Sequence, residues 1–338
     1  MHTADSPAPS RRTFMKASAA ALATGALSGC ETIVGEGGAP GHVDAHVHVW
    51  TPDTKSFPLA EGFAVKDMQP PSFTPEELLA IARPNGVSRV VLIQMSFYHH
   101  DNRYMLDAMR RFPGVFSGVG IVDENAPRVR DAMRDLAKQG VRGFRISPGR
   151  LAPDAWLGSS GMATMWATAA DENLAICPLI NPAALPALAV MCSKFPRTHV
   201  VVDHFARIGV TGQILDGELA LLCALAKFPK TFVKTSAFYA LGRKAAPYLD
   251  LAPMIRRVRD AFGAKRLMWA SDCPYQVQGA HTYAASLSLV RERLDFLSPS
   301  DRDWMLRKTA ETVFFAGAPA GPAPLPKRPG TVLRGPYR

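Results

Sequence analysis

A chain of 338 residues with 47% hydrophobic content and a mean hydropathy close to zero is long enough to bury a large core in one domain. The formal charge of +10 does not mark a nucleic-acid-binding face. Arg11, Arg12 and Lys16 against Asp5 near the start, and Lys327, Arg328, Arg334 and Arg338 against no acid at the end, account for more than half of it. The cysteines at 30, 177, 192, 223 and 273 form no CxxC pair, which argues against both a disulfide scaffold and a zinc finger.

The chain opens on "SRRTFMKASAAALATGALSGC", where Arg11 and Arg12 precede a weakly apolar, Ala-rich run. This reads as a twin-arginine export signal, and the run is too short for a comfortable membrane span. It closes on Leu27-Ser28-Gly29-Cys30, which resembles the bacterial lipobox. That likeness implies lipidation of Cys30 and a mature protein in the periplasm or cell envelope, touching the membrane through its anchor alone. The expected organisation is a leader over 1–30, a linker over 31–41, a folded domain over 42–316 and a disordered Pro/Gly-rich basic tail over 317–338.

Within the domain, short β-branched runs recur at Val43–Trp50, Arg89–Gln94, Phe116–Val122, Val141–Ile146, Leu174–Ile180, Thr198–Asp203, Thr231–Ser236 and Arg266–Ser271. Stretches with apolar residues at three- and four-residue spacing separate most of them, among them "DNRYMLDAMRRF", "APRVRDAMRDLAKQ" and "APMIRRVRDAF". Eight strand-plus-helix units predict an α/β fold, a (β/α)₈ TIM barrel. A doubly wound sheet is the alternative, but no Gly-rich phosphate turn follows the first strand.

In such barrels chemistry gathers where the strands end. The ends here are His46/His48, Gln94, Asp123, Arg145, Asn181, Asp203-His204, Lys234-Thr235-Ser236 and Asp272. Ionisable groups on otherwise apolar strands are costly unless used, so the pattern points to a site. His46 and His48, two apart on one strand, should present both imidazoles to one place.

HxH on the first strand, His204 closing the sixth in "VVVDHFAR" and Asp272 closing the eighth in "RLMWASDCPY" resemble the amidohydrolase superfamily, in its amidohydrolase-related branch of TIM-barrel hydrolases. "GVRGFRIS", "FVKTS" and "LIQMSFYHHDNRYML" match in the same order, so the likeness runs from His42 to Phe315. Within the branch, Asp203-His204 with Arg207, Gln94 and Asp101-Asn102 are similar to pyrone-dicarboxylate and sugar lactonases. The resemblance implies a hydrolase of small, plausibly anionic molecules. His46, His48, His204 and Asp272 are then the catalytic set, and Gln94, Arg145, Arg207 and Tyr239 the substrate-binding set. Opening a cyclic ester needs a base, assigned to Asp272, and a carbonyl polariser, assigned to the histidines. The branch's metal enzymes carry a His on the fifth strand and a bridging Lys or Glu on the fourth. Here those strands read "LAICPLIN" and "GFRIS". The expectation is therefore no required cofactor, with one Zn²⁺ or Mn²⁺ on His46, His48, His204 and Asp272 as the alternative.

Two rival readings stand beside this one. The first is a metal-dependent amidohydrolase or decarboxylase on the same scaffold. The second is a lipoprotein that binds without catalysis, suggested by Ala270 in "WASDCP" where the family usually has glycine. Oligomeric state is not legible in the sequence.

Overall fold

A computed structural model describes residues 41–147, 152 and 158–316. The leader, Cys30, residues 31–40 of the linker and the tail lie outside the described residues. Among the described residues no helix is long and apolar enough to cross a membrane.

Eight parallel strands run in sequential order: β1 (His42–Val47), β2 (Val87–Ile93), β3 (Phe116–Gly120), β4 (Val141–Ile146), β5 (Ala175–Pro178), β6 (His199–Val202), β7 (Thr231–Thr235) and β8 (Leu267–Trp269). Each run read from the sequence overlaps one of them, with β1 and β2 starting one and two residues earlier than read, and the TIM barrel is the observed architecture. Helices α1 (Pro75–Ala82), α2 (Arg103–Arg111), α3 (Val129–Lys138), α4 (Ser160–Asp171), α5 (Leu185–Lys194), α6 (Asp216–Ala224), α7 (Ala252–Phe262), α8 (Tyr283–Ser288), α9 (Pro299–Asp303) and α10 (Thr309–Phe314) follow the strands. Trp50, Trp166 and Trp269 are fully buried, as expected of core residues.

Two hydrophobic layers result. Val43, Ala45, Val91, Ile93, Val119, Cys177, Val201, Phe232 and Met268 face inward and meet Ala310, Val313, Phe314 and Phe315 of the C-terminal helix. That helix plugs the barrel at the end opposite the strand tips, helped by Ser117 Oγ donating to the Phe314 carbonyl at 2.7 Å. The site is thereby given a solid apolar floor.

The barrel closes where β1 and β8 meet. Val47 and Cys273 bridge in parallel, the Asp272 N–H donates to the His46 carbonyl at 2.9 Å, and the His48 N–H donates to the Cys273 carbonyl at 2.9 Å. Nearby, the Asp44 carboxylate accepts from the Ser271 N–H at 2.8 Å and from the Tyr283 hydroxyl at 2.7 Å. Asp44 is fully buried, and burial pushes its carboxyl up to about 6 against the opposing pull of these hydrogen bonds. A folded-state value above the unfolded one means stability fully present below about pH 4 and lost as pH rises through the folded value. Relative to Asp44→Asn, wild-type unfolding free energy is therefore expected to fall between about pH 4 and pH 7, by about 3 kcal/mol. Urea titrations of both proteins measure this, and a difference independent of pH would contradict it.

Candidate active site

The register shift between Asp44 and Val47 shapes β1. A strict two-residue alternation would send Asp44, His46 and His48 to one face. Instead Val43 and Ala45 point into the barrel, Asp44 points out to Tyr283 of α8, and after the irregularity His46 and His48 turn inward. The two imidazoles meet with their Nε2 atoms 3.2 Å apart. His48 Nδ1 lies 2.9 Å from the Ile93 carbonyl, which can only accept, so this nitrogen carries a proton.

Asp272 sits beside them. Its Oδ1 is 3.5 Å from both His46 Nε2 and His48 Nε2, and His204 Nε2 is 3.8 Å from Oδ2. The Tyr239 hydroxyl donates to Oδ2 at 2.7 Å, leaving Oδ1 as the oxygen free to take a proton. Burial alone would raise this carboxyl, but the facing His204, His48 and His46 outweigh it and hold Asp272 below the usual carboxylate range. Burial and the Asp272 charge push the Tyr239 phenol up, so it remains a donor. Burial lowers His204, and burial with the Lys234 charge lowers His46 well below the ordinary histidine range. The three rings thus favour the carboxylate form of Asp272, while burial disfavours charge on His46 and His204.

Strained backbone presents two of these groups. His204, Phe205, Ala206 and Arg207 take φ of 51°, 53°, 54° and 61°, a left-handed turn built without glycine, and Asp272 has φ 65°. Each such residue costs about 1–2 kcal/mol. The turn sets His204 facing Asp272, its Nδ1 held by Ser236 Oγ at 2.8 Å, and puts both His204 and Arg207 on the lining of one cavity.

That cavity measures about 230 Å³ and is lined by His48, Arg145, His204, Arg207, Tyr239 and Asp272, with apolar neighbours such as Met95 and Leu179. Six of the eight residues expected at the site therefore meet there, and His46 lies at its base in contact with His48 and Asp272. Gln94 does not line it. Its amide donates to the carbonyls of His99 and Asp101, at 3.2 and 2.7 Å, and so shapes the loop after β2. Asn102 bonds Ile121, and Asp101 accepts the Arg103 N–H at the start of α2, so the Asp-Asn pair also organises that loop.

The strand ends hold more than the reading of them assigned. Lys234, named among the strand ends but given no role, is fully buried at the centre, its Nζ 3.0 Å from Asp203 Oδ1 and 3.1 Å from His46 Nδ1. Arg145 reaches Asp203 Oδ2 at 3.2 Å and comes within 3.3 Å of His46 Nε2. Its Nε is buried with no partner among the described residues. Burial would raise Asp203, but Lys234, His46 and Arg145 outweigh it and keep the carboxyl well below the usual range. Opposite charges ending adjacent strands β6 and β7 are the sequence signal that could have revealed the pair.

Whether these residues suit a metal turns on the same ring. His46, His204 and Asp272 each offer a ligand atom, all within 4.8 Å of one another, a donor set that fits one Zn²⁺ or Mn²⁺. The fit requires His46 to carry its proton on Nδ1, toward Asp203 Oδ1 at 3.4 Å, leaving Nε2 bare. Among the described residues no second such set occurs.

A parallel barrel whose strand ends gather an ionised carboxylate, three imidazoles and two arginines around one small cavity defines a TIM-barrel hydrolase site. The chain belongs to the amidohydrolase family, whose profile matches residues 43–316. It is 30% identical over 270 residues to the L-fucono-1,5-lactonase of Burkholderia ambifaria, covering 77% of this chain and 90% of that protein. It is 29% identical over 245 residues to the 2-pyrone-4,6-dicarboxylate hydrolase of Comamonas testosteroni, covering 70% of this chain and 77% of that one. An amidohydrolase structure from Burkholderia multivorans with bound zinc superposes with a TM-score of 0.70 at 21% identity, covering 82% of this chain and 99% of that one. The chain is a lactonase-like hydrolase, and the reading of it as a catalytically silent binder is set aside.

Proposed function

We propose that this hydrolase opens a small lactone bearing a carboxylate, with Asp272 as the base. The observation that carries the reading is the Asp272 carboxylate, faced by three imidazoles, at a cavity of about 230 Å³ whose lining also holds Arg145 and Arg207. Asp272 Oδ1 takes a proton from water as the water oxygen attacks the lactone carbonyl. His204, its Nδ1 held by Ser236, donates a hydrogen bond from Nε2 to the developing oxyanion, which is worth most in a site shielded from water. When the carbon–oxygen ring bond breaks, Asp272 returns the proton to the leaving oxygen, and the open-chain acid so formed releases the water's second proton to solvent as it becomes a carboxylate. The two arginines on the cavity lining hold the substrate's own carboxylate.

Arg207 is exposed and free to serve substrate alone. Arg207→Met is expected to lower kcat/KM for a carboxylated lactone about 10- to 100-fold, the worth of one charge-assisted hydrogen bond, while sparing a neutral lactone of similar size. Equal losses on both would sink the carboxylate assignment.

A second reading, a metal-dependent hydrolase, is favoured by the convergence of His46, His204 and Asp272, and the zinc in the Burkholderia multivorans structure is compatible with it. A divalent ion there would polarise the carbonyl and acidify a bound water. Metal analysis of protein purified without chelator separates the two: a stoichiometric ion whose removal abolishes turnover would replace the first reading.

The leader supports a further part of the proposal, export by the twin-arginine route and anchoring through a lipid on Cys30. Membrane fractionation checks it, since Cys30→Ser should move the protein from the membrane pellet to the soluble fraction. No change in distribution would exclude the anchor.

A further inference from the structure

A fully buried lysine touching a histidine of the site has no part in the reaction as written. We propose that Lys234 is a positioning residue: by donating to His46 Nδ1 it keeps the His46 proton on Nε2, so that this ring serves as a hydrogen-bond donor to His48 beneath the cavity and not as a metal ligand.

The argument is a count of protons. His48 Nδ1 donates to the Ile93 carbonyl at 2.9 Å, so in a neutral ring His48 Nε2 is bare and needs a donor. His46 Nε2 is 3.2 Å away. Across the His46 ring, Lys234 Nζ stands 3.1 Å from Nδ1, and an ammonium has no lone pair with which to accept. Both contacts are satisfied at once when the His46 proton sits on Nε2. The opposite tautomer would set two bare Nε2 atoms face to face and aim an N–H between Lys234 at 3.1 Å and Asp203 Oδ1 at 3.4 Å, the lysine donor being the nearer. The donor it would gain, an Arg145 Nη at 3.3 Å, stands farther off than the two contacts it would lose, at 3.1 and 3.2 Å.

The surroundings fix the lysine in this role. Its Nζ is pinned by Asp203 Oδ1 at 3.0 Å and lies over the Phe314 ring, 5.6 Å from the centroid, on the apolar floor of the barrel. The chain of donation therefore runs from Lys234 to His46 to His48 to the Ile93 carbonyl. Its consequence for a lactone carbonyl rests on the function proposed above, but the tautomer does not.

The test needs no substrate. Long-range proton–nitrogen correlation spectra of chelator-treated, ¹⁵N-labelled protein, with His46 assigned by loss of its signals in His46→Gln, should show His46 protonated on Nε2 and bare on Nδ1. Protonation on Nδ1 alone, or on both nitrogens, would overturn the proposal. Lys234→Met should reverse the tautomer and raise the zinc affinity of the metal-free protein about tenfold or more by calorimetry, a typical size for a group acting through a ligand. Unchanged tautomer and zinc affinity in a folded variant would also overturn it; should the variant fail to fold, the wild-type spectra decide. An Nε2–H tautomer in a protein inactive on every lactone would sink the proposed function and leave the role of Lys234 standing.

Discussion

Asp272→Asn is expected to lower kcat on a carboxylated lactone by at least about 10²-fold, the ordinary worth of a positioned general base, with a far smaller change in KM. An amide keeps the shape of the side chain and can still meet the Tyr239 hydroxyl, which holds Oδ2 at 2.7 Å in the wild type. It cannot take a proton from water. The expected split between kcat and KM therefore reports the base and not the fit of the substrate. Steady-state kinetics on the folded variant check this, and turnover at the wild-type rate would remove Asp272 from the mechanism.

The second large effect concerns stability. Asp203→Ala would leave Lys234 fully buried and Arg145 nearly so, without the carboxylate that lies 3.0 and 3.2 Å from them. Breaking one side of a buried ion pair costs roughly 3–5 kcal/mol, because the remaining charge stays out of water uncompensated. Urea unfolding should show a loss of that size. Asp203→Leu combined with Lys234→Met, which removes both members of the closest pair, should recover much of it. A loss below about 1 kcal/mol in the single variant would mean that water or another group already compensates the lysine.

Much of the barrel was legible from period and punctuation. All eight strands announced themselves as β-branched runs, because a strand covered on both faces needs apolar residues throughout. The convergence of His46, His48, His204 and Asp272 was legible for a different reason, since polar groups at the tips of apolar strands have few other places to go. What the sequence concealed was phase. Nothing in "VDAHVHVW" signals the register shift that turns Asp44 outward and the two histidines inward. Gln94 misled because the end of a strand can serve the next loop as well as the cavity, and its amide is used by two loop carbonyls. Lys234 was undervalued because a lysine near a strand end usually reaches water. Here Phe232 and Lys234 share the inward face, and Asp203 on the neighbouring strand end makes burial tolerable.

These residues also explain how one constellation could serve two chemistries. With the His46 proton on Nε2 the ring donates to His48; with it on Nδ1, toward Asp203, the ring joins His204 and Asp272 as a ligand set. Lys234 decides between them, which connects the charge pair at the barrel centre to the reaction at its mouth. Ala270, where the family usually has glycine, packs into the barrel interior without exposure and leaves Asp272 in contact with the imidazoles.

The most direct measurement of the whole reading is ring opening by the chelator-treated wild-type protein, followed by proton release, on a matched pair of small lactones with and without a carboxylate. The account predicts turnover that survives removal of metal and favours the carboxylated member by at least about tenfold in kcat/KM, the value of the arginine contacts. No hydrolysis of either lactone by the folded protein, or activity that returns only on adding zinc, would contradict it.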